Sequence, residues 1–490
     1  MEDGTWDMVD LKSFLYRQLI ICTICLYSLC TMAQRHDQNW VLGYGDYSLE
    51  RQMNGAPVNF GQMLFSFLPD GKMEHKALRL RSGVNLGFTT SSYSNQDGAL
   101  FCYSDGFQIF NSAHQVMEGG EVLNDGGPKE VYRYGFYPCS GSVLFLPSPV
   151  DPNEIYVIHI VLEYIGRTIY NTSFSYSLID AVQNNGLGKV IVKNKLVHKD
   201  RYTSVPIAAC RHGNGRDWWI LAERGGYSNV FLIFLLDPSG LHLYHEQAIG
   251  PKINRELYSS NSDAVFSPDG SMFVKGHYKF GIQLFDFDRC TGRLRVRSEL
   301  PLTPWRNIVG LEFSPSSRFL YVNTDSLVVQ FDLKYKDLQY GGDTVATLDQ
   351  NLDLHLPNRR AWMAWSQLAA DGKIYISCIG SSPLFHTINK PDLKGKACDV
   401  QWRSINLGIY NYAGLPPMPN YRLGSDPSCG LVNSAKSEPD IEFEIGPNPF
   451  TRYLTISLSK GRMHRDARFV LYDVLGRKVV ESILPCLLER

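Results

Sequence analysis

The sequence lacks a charge imbalance: 48 Lys and Arg stand against 49 Asp and Glu over 490 residues. Polyanions and anionic membrane surfaces select strongly basic chains, so nucleic acid is not an expected partner. Beyond residue 33 it also lacks any Cys-x-x-Cys pair, and the eight cysteines there are widely scattered, so no zinc site is expected. Long apolar runs are missing from the same region, where no segment approaches the ~20 residues that span a bilayer. The longest, residues 230–236, runs into Asp237-Pro238-Ser239-Gly240 and reads as a buried strand followed by a turn. Gly-x-Ser-x-Gly, Gly-x-Gly-x-x-Gly, P-loop and His-Glu-x-x-His patterns do not occur, so no catalytic, cofactor-binding or metal-binding residue is assigned.

What the chain has is apolar and turn-forming material. It is 44% hydrophobic and 12% aromatic with 42 Gly and 25 Pro, a composition that suits a folded β-rich protein. At the N-terminus Lys12 and Arg17 precede an apolar stretch over residues 19–30 and then Thr31-Met32-Ala33. Small residues at −3 and −1 predict a signal peptide over residues 1–33, cleaved between Ala33 and Gln34. Glu2, Asp3, Asp7 and Asp10 make the extreme N-terminus acidic, and Met8 offers an alternative start. Lipidation at Cys30 is disfavoured by Leu29, which stands where the pattern needs a small residue. Export permits disulfides, and Cys398 with Cys429, both in polar loop-like sequence, are the candidate pair. Cys102 and Cys378 lie in apolar strand patterns and are expected to be buried free thiols.

One unit recurs between residues 83 and 407: a strand, a tight polar turn, a second strand, then a third ending in Asp. Its clearest turn is Ser267-Pro268-Asp269-Gly270, in which Pro presets φ and Gly tolerates φ above zero. Turn centres at Asp97, Asn153, Asn214, Asp269, Ser316 and Asp371 are spaced by 56, 61, 55, 47 and 55 residues. That period belongs to four-stranded propeller blades, which bury their two faces only by stacking around a ring. The predicted fold is all-β, a β-propeller over residues 34–432 with seven blades. The seventh is expected to be shared between residues 39–82 and 408–430. This region resembles lactonase-like and WD40-like propellers. Tyr176-Ser177-Leu178-Ile179-Asp180, Asn185-Gly186-Leu187-Gly188 and Pro419-Asn420-Tyr421-Arg422-Leu423-Gly424 look like exported propellers of surface-colonising bacteria that carry a sorting tail.

After a linker at residues 433–440 the texture changes. Residues 441–490 carry Pro447-Asn448-Pro449-Phe450, then alternating apolar segments around Tyr472-Asp473-Val474-Leu475-Gly476-Arg477. They predict a small partial β-sandwich with a turn at Leu475-Gly476-Arg477. Pro447, Asn448, Pro449 and Phe450 together with Tyr472, Asp473, Gly476 and Arg477 strongly resemble the type A sorting domain of the type IX secretion system. The resemblance implies secretion machinery as a partner and a secreted or cell-surface location. Further strands come after the turn in that family, whereas this sequence ends at Arg490, so a loosely ordered module is expected.

Individual candidates are few. His242 and His245, three apart on a strand, are expected on opposite faces, too far apart for a shared metal. Asp286-Phe287-Asp288 opens like a calcium loop, but Arg289, Cys290 and Arg297 occupy ligand positions, so these aspartates are read as strand-terminal. Of the adjacent Trp218 and Trp219, one ring should point inward and one outward, with packing between blades favoured over sugar stacking. Trp305, Arg306, Arg359, Arg360 and Trp362 are candidates for one face of the ring. The resulting expectation is a non-enzymatic binding or adhesion propeller with a protein or glycan ligand. A lactonase-like hydrolase, which needs acids or imidazoles converging at the channel mouth, is the alternative.

Overall fold

The computed structural model describes residues 34–429 except 47, 49, 54–55, 79, 81–83, 125–135, 167, 205, 256–261, 278–280, 301–307, 336–337, 339–341 and 349–361. Beyond residue 429 it describes the strands Glu442–Gly446, Thr455–Lys460, Ala467–Tyr472 and Lys478–Leu484. Of the expected sorting residues, only Tyr472 lies within the described residues, at the end of a strand that pairs antiparallel with Lys478–Leu484.

Seven antiparallel sheets form the ring of a seven-bladed β-propeller. Blade 1 contains Asn39–Tyr44, Gly61–Phe67, Met73–Ala77 and Asn85–Leu86, and blade 2 contains Ser91–Ser94, Leu100–Ser104 and Ile109–Asn111. Blades 3 to 7 start from Val143–Pro147, Ala208–Arg211, Ser262–Phe266, Gly310–Phe313 and Met363–Leu368, each the first strand of four consecutive neighbours. The six turns read from the sequence are the first hairpins of blades 2 to 7. In blade 5 the Ser267 hydroxyl donates to Asp269 Oδ1 at 2.6 Å and accepts from Met272 N at 2.9 Å, while Gly270 takes φ 72°. Blade 6 has Ser317 at that corner with φ 61°, and its hydroxyl accepts from Asp269 N of blade 5 at 3.0 Å. A strained corner there serves as a link between blades.

The core is distributed between blades. Separate apolar clusters fill the junctions of blades 1 and 2, 4 and 5, 5 and 6, 6 and 7, and 7 and 1, and a larger one joins blades 2, 3 and 4. Stacking of amphipathic sheets predicts this, since every inner strand is covered on both faces. Trp218 and Trp219 do alternate, one into each neighbouring cluster, but both are fully buried. The outward ring expected from a half-exposed strand is covered by the next blade.

Two features depart from the sequence reading. The strands Asn39–Tyr44, Gly61–Phe67, Met73–Ala77 and Asn85–Leu86 build blade 1 without help from the C-terminus; residues 408–411 end the fourth strand of blade 7, Val400–Asn411. The chain after Asn411 contains Pro416, Pro417 and Pro419, which lack the N–H groups a ladder requires, so it cannot complete a sheet. The hairpin Glu50–Met53/Ala56–Asn59 instead extends blade 7, through a parallel pairing of Asn59 with Ile409. Second, a register shift between Ile233 and Phe234 places His242 opposite Leu235 and His245 opposite Ile233. The bulge restores the phase, so the two histidines share one face rather than opposite faces.

Candidate functional site

Residues 412–429 form a strap that leaves the fourth strand of blade 7 beside Ser382, follows the inner strands, and from Asn420 onward lies across the end of the ring that carries the first hairpin turns. Gly414 N donates to Gly87 O at 2.7 Å, and Leu415 and Met418 pack into the blade 7/1 cluster. Met418 N donates to Gln367 Oε1 at 3.3 Å in blade 7, and the Tyr421 hydroxyl to Phe145 O at 2.8 Å in blade 3. Asn420 Nδ2 reaches Pro268 O at 2.7 Å in blade 5, and Arg211 of blade 4 donates to Tyr421 O at 3.1 Å. The strap therefore touches blades 1, 3, 4, 5 and 7.

It is fixed at its far end by a disulfide. Cys429 is bonded to Cys290, with Cα atoms 5.2 Å apart, and not to Cys398 as expected. Cys398 is a buried free thiol in the blade 6/7 cluster, whereas the strap brings Cys429 to the turn after Asp288 in blade 5. Asp426 N donates to Gly213 O at 2.7 Å beside this bond, and a Cβ at Gly213 would overlap Cys429 Sγ. Glycine is needed there to let the two chains approach. Asp426 lies with the two sulfurs in the one group of three metal-type ligands among the described residues, and both sulfurs are bonded to each other. Cys102 and Cys378 are buried free thiols.

The N-terminal segment lies on the same end. Asp37 pairs with Arg422 through two hydrogen bonds of 2.5 Å, and His36 stacks on Tyr93 with ring centroids 4.5 Å apart. Its Nδ1 lies 2.7 Å from Ser94 O. Burial, with Arg211 and Arg422 nearby, lowers the His36 pKa to about 4, so the ring is neutral. Gln34 Oε1 accepts from Arg211 Nη2. Arg211 is buried, lies 3.9 Å over Trp218 and donates to Arg216 O at 3.0 Å.

Beneath the strap is a cavity of about 280 Å³ lined by inner strands of blades 3 to 7, including Asp263, Glu312, Trp365 and Gln367. Both carboxyls are buried. Asp263 accepts from Leu311 N of blade 6 at 2.8 Å and Ala264 N at 2.9 Å. Glu312 accepts from Leu368 N of blade 7 at 2.7 Å and Phe313 N at 2.9 Å. Burial raises Asp263 to about 7 and Glu312 to about 8 against the pull of those N–H groups. Each acid thus braces its own blade to the next, a role that sequence reading missed because a single acid beside an apolar strand carries no periodic signal. Between blades 4 and 5 the buried ion pair Lys275–Glu223, at 2.5 Å, spans the same kind of junction.

Other candidates resolve into structural roles. Asp286 pairs with Arg295 and Arg297, and Asp288 accepts from Cys290 N at 2.8 Å and Thr291 Oγ1 at 2.7 Å, as expected for aspartates at a strand end. Trp362, 44% exposed, immediately precedes the first strand of blade 7 and so stands at the end of the ring opposite the first hairpin turns. Trp305, Arg306, Arg359 and Arg360 lie outside the described residues.

Neither family models nor curated proteins give a match to this sequence. Solved structures share the architecture at low identity. A protein from Bacteroides uniformis proposed to be a 6-phosphogluconolactonase is 12% identical, with a TM-score of 0.44 over 76% of this chain and 98% of its own. A functionally unknown protein from Desulfotomaculum acetoxidans is 14% identical, with a TM-score of 0.40 over 78% and 100%. The Cps50 (Swd1) propeller domain of Myceliophthora thermophila is 10% identical, with a TM-score of 0.34 over 71% and 94%.

Proposed function

We propose that this chain is an exported, non-enzymatic binding propeller, delivered to the cell surface or medium by its C-terminal module. The observation that carries the binding role is the commitment of the channel acids. Asp263 and Glu312 both accept backbone N–H groups across blade junctions, which leaves them as braces rather than as a water-activating pair. Residues 420–429 of the strap cover the end with the first hairpin turns, so ligand contact falls to the opposite end, where Trp362 offers an exposed ring of the kind that stacks on sugars. The export role is supported by the apolar N-terminal stretch ending at Ala33 and by the Pro447-Asn448-Pro449-Phe450 and Tyr472-Asp473 to Gly476-Arg477 motifs.

The test is a glycan and surface-protein binding screen of the full mature chain, with and without divalent ions, run beside a lactone hydrolysis assay. Saccharide or protein binding that Trp362→Ala abolishes without lowering the melting temperature is the expected result. Lactone turnover that Asp263→Asn or Glu312→Gln abolishes while the fold persists would replace this reading by the hydrolase.

A further inference from the structure

We infer that the channel cavity is a binding site for a small monocarboxylate with an apolar body, its charge received by Arg211. The site lies inside the ring and is independent of the saccharide reading of the rim at Trp362.

The cavity of about 280 Å³ reaches from Gly141 and Pro206, which precede the first strands of blades 3 and 4, to Pro268 and Asn420 at the capped end. It therefore runs along the channel, with its way in at the end opposite the first hairpin turns. Its volume is at the lower limit of ligand pockets, which suits a small molecule. Leu144, Ile207, Val265 and Leu311 make much of the wall apolar. The few charged groups decide what the ligand carries.

Of the two guanidinium groups on the wall, Arg422 is neutralised by Asp37, whereas Arg211 has no carboxylate of its own. Arg211 is 5% exposed and donates to three neutral oxygens, Arg216 O, Tyr421 O and Gln34 Oε1. Its Nε has no partner among the described residues. Asp217, the carboxylate that acts on it, is held by Arg216 Nε and Asn214 Nδ2, each at 2.7 Å. Burial lowers the Arg211 pKa to about 10, so the group stays charged at neutral pH. A buried cation with only neutral acceptors is costly, and an anion in the cavity offsets that cost. The remaining N–H can then make a charge-assisted hydrogen bond.

Asp263 and Glu312 do not turn the cavity into an amine site. All four of their carboxyl oxygens already accept backbone N–H groups. Burial keeps both carboxyls protonated up to about pH 7 and 8, so below neutrality they neither attract an ammonium nor repel a carboxylate. One uncompensated positive charge beside an apolar wall fits one negative charge on an apolar body.

The experiment is calorimetric titration of the full mature chain at about pH 6 with phenylbutyrate, phenylbutanol, phenylbutylamine and inorganic phosphate. Phenylbutyrate is expected to bind once per chain, at least tenfold more tightly than each of the others. Equal affinity for the alcohol removes the charge, equal affinity for phosphate removes the apolar body, and tighter binding of the amine assigns the cavity to the acids; each overturns the inference, as does no binding at all. Arg211→Gln should reduce phenylbutyrate to the affinity of phenylbutanol, and an unchanged phenylbutyrate affinity would remove the role of Arg211. Because Arg211 also holds the strap, the wild type is photolabelled in parallel with trifluoromethyl-diazirinyl benzoate, which needs no variant. Adducts on the inner strands of blades 3 to 6 are expected. Adducts confined to the rim around Trp362 overturn the cavity site and leave the rim reading standing.

Discussion

Six of the seven blade junctions and the one between blades 7 and 1 are built by different means. The six are made by repetition, each new blade opening with a hairpin turn and burying an apolar cluster against its predecessor. The seventh has no repeat to continue it. Besides its own apolar cluster it is closed by an inserted hairpin at Glu50–Asn59, by Gly43 N donating to Asn411 Oδ1 at 3.2 Å, and by a strap that crosses to five blades before it is bonded to Cys290. A ring of stacked sheets gains nearest-neighbour stability at every junction, but the last one also joins the two ends of the chain. That is where non-repeating devices gather.

The comparison is best tested where the strap is covalent. Cys290 and Cys429 enclose 139 residues, and a cross-link over so long a loop stabilises by about 5 kcal/mol in the chain-entropy picture. Cys429→Ser should lower the unfolding free energy by several kcal/mol in oxidising urea melts, and added reductant should have little further effect on it. Equal stability of variant and parent would show that closure does not depend on this bond.

Tyr421→Ala probes the strap's apolar anchoring. The ring is 1% exposed and its hydroxyl donates to Phe145 O, so its removal should cost roughly 3–5 kcal/mol, as for a large core side chain. A loss under about 1 kcal/mol in the same melts would reduce the strap to a surface decoration.

Glu312→Gln sharpens the account of the repeating junctions through pH. Glu312 holds its proton up to about pH 8, against an ordinary value of 4.5, because it is buried. Its contribution is complete at pH below the unfolded value and is lost as pH rises through the folded one, since only the unfolded chain ionises in between. Asp263, raised to about 7, acts with the same sign, whereas His36, lowered to about 4, acts with the opposite sign between about pH 4 and 6.5. Urea midpoints for the wild type should therefore fall from about pH 5 to 8 more steeply than those of Glu312→Gln. Parallel curves would contradict the assignment. Smallest is Arg422→Ala: its pair with Asp37 is partly exposed, and solvent screening limits the loss to about 1 kcal/mol.

The legible part of the fold divides along the same line. Ser267-Pro268-Asp269-Gly270 and its copies fix their turns through Pro, Gly and short polar side chains, so the period and the blades could be read directly from residue order. Closure could not. Pro416, Pro417 and Pro419 erase any strand pattern without saying where the segment goes, and the Cys290 partner of Cys429 lies in a remote turn, far outside the range of local sequence signals. Cys398 was the nearer candidate only in sequence. His242 and His245 changed face because a bulge, which nothing in Leu241-His242-Leu243-Tyr244-His245 announces, shifts the register by one. Trp362 could be named from residue order as a candidate for one face of the ring. Asp263 and Glu312 could not, since their work is done on backbone groups of other blades.

Gln34 and Cys429 mark the two places where the described propeller meets the rest of the chain, and both are anchored on one end of the ring. A tether attached through either one pulls on that capped side. If the chain is displayed as proposed, such a tether leaves the rim around Trp362 on the far side of the ring from its attachment.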